Sequence, residues 1–319
     1  MNHCKYFKGD RPCKYYWIDR SWDCSNCEHY SSYDKRILLI KLDELGDVVR
    51  STALVEGLKK KYEKSQISWL VAKNGKYFLN NNPYIDRILQ YDNESVRQLQ
   101  CEKFDLIINL DKDSKATSLT MMIDSDIKRG YGLSKDGYVV PLNDGTNNSY
   151  YSSLDNWGRK IKETKSYQEL IFDISEISYG GEKPKVFLDD GGLFKSKFYE
   201  KYNIKEDDNL IVLNTGASSK DKHRIWTKEG YRKLAKKLLL DNKNKVILTG
   251  SDLELERNDY IGKDLNVINT TSNYNIEEFV YLLQLSDVVL SASRNQTGDA
   301  SERQRLQLKV LKSRHTGMT

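Results

Sequence analysis

The sequence has only 4 proline residues in 319, no long low-complexity stretch and no apolar run near the ~20 residues that a membrane-spanning helix needs. Its first residues are rich in Cys, Lys and Asp, and they lack the apolar core of a signal peptide. These features argue against a disordered chain, a membrane-spanning protein and a secreted one. We therefore expect a cytoplasmic protein whose cysteines stay reduced.

A broad basic surface is missing as well, although the formal net charge is +5. Residues 291–319 contain six Arg and Lys side chains against two carboxylates, so this tail carries most of the excess charge. The rest of the chain is near neutral, which argues against nucleic acid as a partner. A hydrophobic content of 38% with 21 Tyr still supplies a sizeable core.

Strand-like and helix-like segments alternate along most of the chain. Residues 37–42 read ILLIKL, an apolar run typical of a strand covered on both faces, and residues 48–62 follow with helical spacing. This rhythm continues to about residue 123 and starts again from residue 210 to residue 291. It predicts parallel βαβ units in two Rossmann-like, doubly wound α/β domains. Residues 141–165 are predicted to be irregular surface structure.

Four segments follow from this organisation. We predict a Cys-rich leader over residues 1–34, a first Rossmann-like domain over 35–180, a second over 181–292, and an atypical basic tail over 293–319. In doubly wound folds, ligands bind at the carboxyl ends of the strands, in the cleft between the halves. The loops that follow the strands are therefore the places to search for a site.

The first such loop, KLDELGD over residues 41–47, joins the first strand to the first helix. Gly46 permits a tight turn close to a ligand, and Asp47 falls at or beside the helix N-cap. A carboxylate there can act as a general base, and it can equally cap the helix and do no more. The spacing is not a dinucleotide fingerprint, because G-x-G-x-x-G is absent.

Two strand-end loops in the second half are candidate ligand-binding loops, and the first of them has an anion-binding pattern. A strand ends in small and hydroxyl-bearing residues, and cations and a helix start follow, so the loop suits a diphosphate; a solvated polar loop is the alternative. These residues are Thr215, Gly216, Ala217, Ser218, Lys222 and Arg224. A second strand–Gly–helix turn contains Gly250 and Glu254, and this carboxylate either binds ribose hydroxyls or favours the helix N-terminus.

The order and separation of these motifs resemble glycosyltransferase family 9, the heptosyltransferases that act on lipopolysaccharide. ILLIKLDELGDVVRSTALVEGLKKKY is similar to the family's opening strand, Gly-Asp loop and helix. NTGASSKDKHRIWTKEGY is similar to its donor-phosphate loop, and VILTGSDLELE to a further part of the donor domain. The resemblance covers roughly residues 35–292.

This resemblance implies a GT-B fold, with an acceptor domain over 35–180 and a nucleotide-sugar domain over 181–292. It also implies sugar transfer with inversion, and no obligatory metal at the transfer step. Asp47 would be the general base. Gly46, the residues of the phosphate loop, Gly250 and Glu254 would bind the donor, which is a nucleotide diphosphate sugar such as ADP-heptose. The acceptor would be a glycan or glycolipid, with at most peripheral contact with the inner face of the inner membrane.

The tail departs from the family pattern. After residue 292 the sequence is basic and weakly apolar, and the family's next turn and helix are missing. We interpret residues 293–319 as frameshifted, truncated or replaced, so the second domain is predicted to be incomplete. Leu306, Leu308, Val310 and Leu311 would form at most one short amphipathic helix. Loss of part of the donor site puts transfer activity of this chain in question.

The leader contains four cysteines in 24 residues, with the spacing C-x8-C-x10-C-x2-C. In a reduced compartment this pattern favours a metal over disulfides, with zinc as the simplest candidate and an iron–sulfur cluster as an open alternative. Incidental thiols and a redox pair are the further alternatives. The predicted ligands are Cys4, Cys13, Cys24 and Cys27.

Three classes of function remain in competition. A sugar-transferring enzyme is the leading interpretation, because the acidic Gly-Asp loop supports it. A non-catalytic nucleotide or glycan binder is favoured if the tail is native. A zinc-dependent nucleic-acid module is disfavoured by the near-neutral body of the chain.

Overall fold

A computed structural model describes residues 4–154, 164–188, 192–216, 226–294 and 306–313. The chain divides into two compact units, Met1–Leu188 and Asp189–Thr319. Each unit contains one mainly parallel β-sheet with helices packed on it. The predicted doubly wound α/β class is thus confirmed.

The first unit has a six-stranded sheet in the order β3-β2-β1-β4-β5-β6. Strands β1 to β5 pair in parallel, whereas β6 runs antiparallel to β5. The strands are β1 (Lys35–Ile40), β2 (Ser65–Val71), β3 (Arg87–Gln90), β4 (Lys103–Asn109), β5 (Asp124–Leu133) and β6 (Val139–Pro141). The helices are α1 (Leu45–Lys61), α2 (Lys76–Leu79), α3 (Asn93–Cys101), α4 (Ser114–Met122), α5 (Asp144–Leu154) and α6 (Tyr167–Ile174).

Strand β1 lies at the centre of this sheet and is covered on both faces. Ile37 and Leu39 belong to one apolar cluster, and Leu38 and Ile40 belong to another. All four side chains are fully buried. Each such burial contributes roughly 1.5–3 kcal/mol, so this strand is a main source of stability in the first unit. The continuous apolar run predicted this two-sided burial.

The predicted irregular structure over residues 141–165 is wrong for its first part. Helix α5 occupies Asp144–Leu154, and residues 155–163 lie outside the described part of the chain. Its sequence has a weak helical preference, and the helix packs on α6. Tyr150 also donates a hydrogen bond of 2.7 Å to the carbonyl oxygen of Val139 in β6. Tertiary contacts therefore stabilise a helix that local propensity does not predict.

The second unit has a five-stranded sheet in the order β11-β10-β7-β8-β9. Its strands are β7 (Asn209–Asn214), β8 (Asn244–Thr249), β9 (Ile268–Asn269), β10 (Val288–Arg294) and β11 (Leu306–Ser313). Its helices are α7 (Gly192–Tyr202), α8 (Lys228–Leu238), α9 (Leu255–Gly262) and α10 (Ile276–Leu285). Strand β7 pairs in parallel with both β8 and β10, so it is the central strand.

The tail corrects one prediction. The amphipathic helix expected from Leu306 onward is wrong, because β11 is a strand that pairs antiparallel with β10. Strand β10 therefore has a neighbour on each side, whereas an incomplete second domain would leave it without a neighbour or without its covering helix. The sequence Leu306-Gln307-Leu308-Lys309-Val310 alternates apolar and polar residues, which is the period of a strand. This alternation is visible in the sequence and favours a strand over the helix that we predicted.

Within the ranges that the structure describes, no helix is both long and apolar enough to cross a membrane.

Candidate active site

A buried ion pair marks the carboxyl edge of the first sheet, where β1 and β4 end. Lys41 and Asp111 pair there, with side chains only 5% and 10% exposed. The second carboxylate oxygen of Asp111 accepts the backbone N–H of Leu42, and the Lys41 ammonium donates to the carbonyl oxygen of Asp43 at 2.6 Å. Burial raises the pKa of Asp111, and the charge of Lys41 opposes this shift. The pair thus fixes the start of the loop that leads into α1.

The loop from β1 to α1 turns at Glu44, which has a φ of 46°. Glu44 is also the N-cap residue of α1, without a side-chain cap hydrogen bond. The expected tight turn at Gly46 is wrong, because Gly46 lies inside the first helical turn and the left-handed conformation falls on Glu44. A side chain added at Gly46 would meet no atom within 4 Å, so the space beside it is open.

Asp47 lies in the first turn of α1 and is not the N-cap. Its side chain is 32% exposed, and its carboxylate pairs with the guanidinium group of Arg50 at 2.5 Å. Arg50 in turn lies over the ring of Tyr167, with its guanidinium carbon 4.0 Å from the ring centroid. Arg50 thus binds the Asp47 carboxylate and is itself packed on Tyr167, which limits the orientations of the carboxylate.

Tyr167 opens helix α6 and connects that helix to α1. Its hydroxyl group lies 3.0 Å from the Ser51 hydroxyl, which donates to the carbonyl oxygen of Asp47 at 2.7 Å. Burial is the main cause that raises the pKa of Tyr167, and the nearby charge of Asp47 adds to it. The phenol is therefore neutral over the physiological range, and it supports Arg50 as an uncharged aromatic surface.

No role was predicted from the sequence for Lys41, Arg50, Asp111 or Tyr167. Asp111 had a readable signal, because it follows the strand LIINL at its carboxyl end, where polar residues of parallel sheets converge. Tyr167 had none, since 120 residues separate it from Asp47 in the chain. Its proximity results from the packing of α6 on α1.

In the second unit, four of the predicted donor residues come together at the carboxyl ends of β7 and β8. Thr215 and Gly216 follow β7, and Gly250 follows β8. A side chain added at Gly216 or Gly250 would meet Glu254, at 2.6 Å and 2.7 Å respectively. Glu254 is 7% exposed and accepts from the backbone N–H and the hydroxyl of Ser251, at 2.8 and 2.7 Å. Both loops therefore close around one carboxylate.

The side chain of Thr215 is used within the domain. It is fully buried, and its hydroxyl donates to the Asn258 side-chain oxygen at 2.6 Å. Its backbone N–H also donates to the carbonyl oxygen of Thr249 at 3.5 Å, so both donors of Thr215 are used within the domain. The other predicted phosphate ligands, Ala217, Ser218, Lys222 and Arg224, lie outside the described residues.

Trp226, which follows the predicted phosphate loop in the chain, makes several contacts within the domain. Arg257 donates to the Trp226 carbonyl oxygen at 2.8 Å, and the indole ring packs on Gly230 and Tyr231. Thr227 then caps α8 with its side chain. A helix N-terminus thus follows the predicted phosphate loop, as the sequence implied.

The leader brings its four cysteines around one space. Cys4, Cys13, Cys24 and Cys27 are free thiols that all line a single cavity of about 460 Å³. Within the described part of the chain, however, no three His, Cys, Asp or Glu side chains meet closely enough to hold one metal ion. The arrangement therefore supports neither the expected zinc ion nor the iron–sulfur cluster that was its alternative.

Comparison with known proteins places this chain among sugar transferases. The family model for glycosyltransferase family 9 (heptosyltransferase) matches residues 94–293. The lipopolysaccharide core heptosyltransferase OpsX of Haemophilus influenzae is 22% identical over 282 residues, which cover 82% of this chain and 74% of that protein. A family 9 glycosyl transferase from Veillonella parvula has a TM-score of 0.65 at 18% identity, over 80% of this chain and 75% of that one. The E. coli ADP-heptose lps heptosyltransferase II has a TM-score of 0.55 at 17% identity, over 80% and 78%.

The two parallel-sheet units and these structural neighbours define the GT-B fold. The family match covers more than half of the chain, and the chain belongs to glycosyltransferase family 9. It is therefore an enzyme that transfers a glycosyl group from a nucleotide sugar.

Proposed function

We propose that this protein transfers a heptose from ADP-heptose to a hydroxyl group of a lipopolysaccharide-type glycan or glycolipid, with inversion at the sugar carbon. The names of its relatives support the sugar and the acceptor, since OpsX is a lipopolysaccharide core heptosyltransferase and the E. coli neighbour is named for ADP-heptose. We further propose that the reaction takes place in the cytoplasm, with at most peripheral contact with the inner membrane.

The observation that carries this proposal is the position of Asp47. A partly exposed carboxylate stands in the first turn of α1, beside the open space at Gly46, and Arg50 and Tyr167 fix its direction. The acceptor hydroxyl gives its proton to Asp47 while its oxygen attacks the anomeric carbon. The bond from that carbon to the diphosphate breaks, and the diphosphate leaves with the electron pair.

The second unit supplies the donor site in this proposal. The backbone at Gly216 and the predicted cations Lys222 and Arg224 meet the leaving diphosphate, whose charge grows as the bond breaks. Glu254 accepts hydrogen bonds from the ribose hydroxyls. One carboxylate oxygen of Glu254 already accepts twice from Ser251, so the other oxygen is the one available for the ribose.

A matched pair of variants in one loop tests the role of Asp47. Asp47→Asn removes the base and keeps the shape, so the turnover number should fall by about 10²-fold or more while ADP affinity stays the same. Asp43→Asn is the control, because the Asp43 side chain is 61% exposed and lies 3.7 Å from its nearest cation, Lys115. Transfer of heptose from ADP-heptose to a core oligosaccharide gives the turnover, and calorimetry gives the ADP affinity.

Equal turnover in Asp47→Asn and Asp43→Asn would contradict the assignment and leave Asp47 as a structural partner of Arg50. A wild-type chain that binds ADP with no transfer to any core acceptor would instead favour the alternative function, a non-catalytic nucleotide or glycan binder.

A further inference from the structure

The ion pair between Lys41 and Asp111 lies at the start of the loop that leads to Asp47. Both of its side chains are almost completely buried. Because two buried charges lose their hydration, their attraction is largely offset, and apolar side chains of similar volume often give equal or greater stability. Stability alone therefore does not account for a charged pair at this position.

The polar contacts of the pair are directed at the loop between β1 and α1. One carboxylate oxygen of Asp111 accepts from the Lys41 ammonium, and the other accepts the backbone N–H of Leu42. The ammonium also donates to the carbonyl oxygen of Asp43 at 2.6 Å. Two consecutive residues of the loop are thus bound to charged groups, and such charge-assisted hydrogen bonds are the stronger class.

Asp111 itself has a fixed position relative to the sheet. Its backbone N–H donates to the side-chain oxygen of Asn109 at 2.9 Å. The Asn109 amide group, which is fully buried, donates to the carbonyl oxygens of Asp111 at 3.0 Å and of Tyr131 in β5 at 2.7 Å. The carboxylate that binds the loop is therefore held by the ends of β4 and β5.

The next residue of the loop, Glu44, has a backbone conformation that needs such support. Its φ of 46° lies in the left-handed region, which is unfavourable for a residue with a Cβ atom. The carbonyl oxygen of Glu44 accepts the backbone N–H groups of Asp47 and Val48 at 2.8 and 3.0 Å, so it begins the first turn of α1. The direction of this turn, and of Asp47 within it, is thus set directly after the residue that Lys41 binds.

We propose that Lys41 and Asp111 are positioning residues, which hold the loop over residues 42–46 so that the Asp47 carboxylate faces the acceptor hydroxyl. The inference rests on the proposed role of Asp47 as the general base. Without the ammonium, the Asp43 carbonyl loses this donor and the turn relaxes, so the carboxylate moves out of hydrogen-bond reach of the acceptor. A misplacement of about 1 Å is enough to lower a rate by about 10²-fold.

The test compares turnover with stability in two sets of variants. Lys41→Met combined with Asp111→Asn removes both charges and the bond from the ammonium to the loop. Its turnover number should fall by about 10²-fold at unchanged ADP affinity, although its stability in urea stays closer to wild type than that of Lys41→Met alone. Lys59→Met is the control, because Lys59 is also largely buried, at 14% exposure, and Asp86 keeps Lys5 as a partner. This control should retain the wild-type turnover.

The Asp47→Asn background distinguishes an effect through the base from a general loss of structure. If the pair acts through Asp47, combining Lys41→Met and Asp111→Asn should lower turnover by less than about threefold in that background. An equal loss in both backgrounds would overturn the inference. So would a Lys41→Met, Asp111→Asn chain with wild-type turnover beside an impaired Asp47→Asn chain, which would leave the general base in place. Wild-type turnover in Asp47→Asn itself would overturn the base and the positioning role together.

Hydrogen exchange gives a readout that does not depend on activity. In the variant with Lys41→Met and Asp111→Asn, amide exchange should speed up by about tenfold or more over residues 42–48 and stay at the wild-type rate in β2 and β4. Lys59→Met should leave the rate over residues 42–48 unchanged. Wild-type exchange over these residues in the first variant would overturn the proposal.

Discussion

The ion pair between Lys41 and Asp111 gives a prediction whose size and pH dependence both follow from burial. Lys41→Met keeps the length of the side chain and removes its charge. The Asp111 carboxylate then stays buried with the Leu42 N–H as its remaining hydrogen-bond donor among those described above. Breaking a buried pair in this way costs about 3–5 kcal/mol, a large part of the total stability of a domain.

The loss should depend on pH in a definite direction. Burial already raises the pKa of Asp111, and removal of Lys41 raises it further, because Lys41 is the main opposing influence. In the unfolded chain an Asp titrates near its ordinary value of about 3.9. Between these two values the native state holds more protons than the unfolded state, so the stability of the variant falls as the pH rises. The deficit should therefore be small near the ordinary Asp pKa of about 3.9 and grow as the pH rises above it.

Urea unfolding of the wild type, Lys41→Met, Asp111→Asn and the double variant, each at low and neutral pH, measures this. The double variant should recover at least half of the Lys41→Met deficit at pH 8, because neither charge is then left alone and Asn still accepts from Leu42. A deficit that is the same at both pH values, or a double variant that loses the sum of the single losses, would refute the reasoning.

Two further predictions concern the donor loop and the ion pair between Lys59 and Asp86. Replacing both Lys222 and Arg224 by Gln should weaken ADP binding by about 1.5–3 kcal/mol per lost charge-assisted bond, measured by calorimetry; unchanged affinity would place the phosphates elsewhere. Burial lowers the pKa of Lys59 to about 8, while Asp86 opposes the shift and Lys5 adds to it. Above pH 8 the unfolded chain therefore holds more protons than the native state, and stability should rise from pH 8 to pH 10 relative to Lys59→Met; parallel curves for the two proteins would contradict this.

The sheets could be predicted from the sequence because their central strands are nearly continuous apolar runs. Residues 37–42 and 210–214 are of this type, and strands β1 (Lys35–Ile40) and β7 (Asn209–Asn214) lie there. Helix α5 could not be predicted in this way, since its residues have weak helical preference and Gly145 lies against the backbone of Asp173 in α6. Such a helix depends on a contact that is distant in sequence.

The candidate site, too, could be predicted from the sequence only in part. The loop with Asp47 was visible, because a Gly-Asp pair between an apolar strand and a helix is a local pattern. The partners of Asp47 are visible only in part, since Arg50 is three residues away on the same helix and Tyr167 belongs to a different one. Sequence patterns thus predict where a reactive side chain stands, whereas packing determines what holds it.

The surroundings of Glu254 are compatible with a structural role and with the proposed contact to the donor. The glycines of two strand-end loops close on its side chain, and any larger residue at Gly216 would overlap the carboxylate carbon. The capping hydrogen bonds to Ser251 use one of its two oxygens, and they fix the carboxylate between the ends of β7 and β8. A ribose bound there would meet an acceptor whose position is already set, so little conformational entropy is lost on binding. The helix-cap role and the ribose role, which were alternatives for the sequence, are therefore compatible within one side chain.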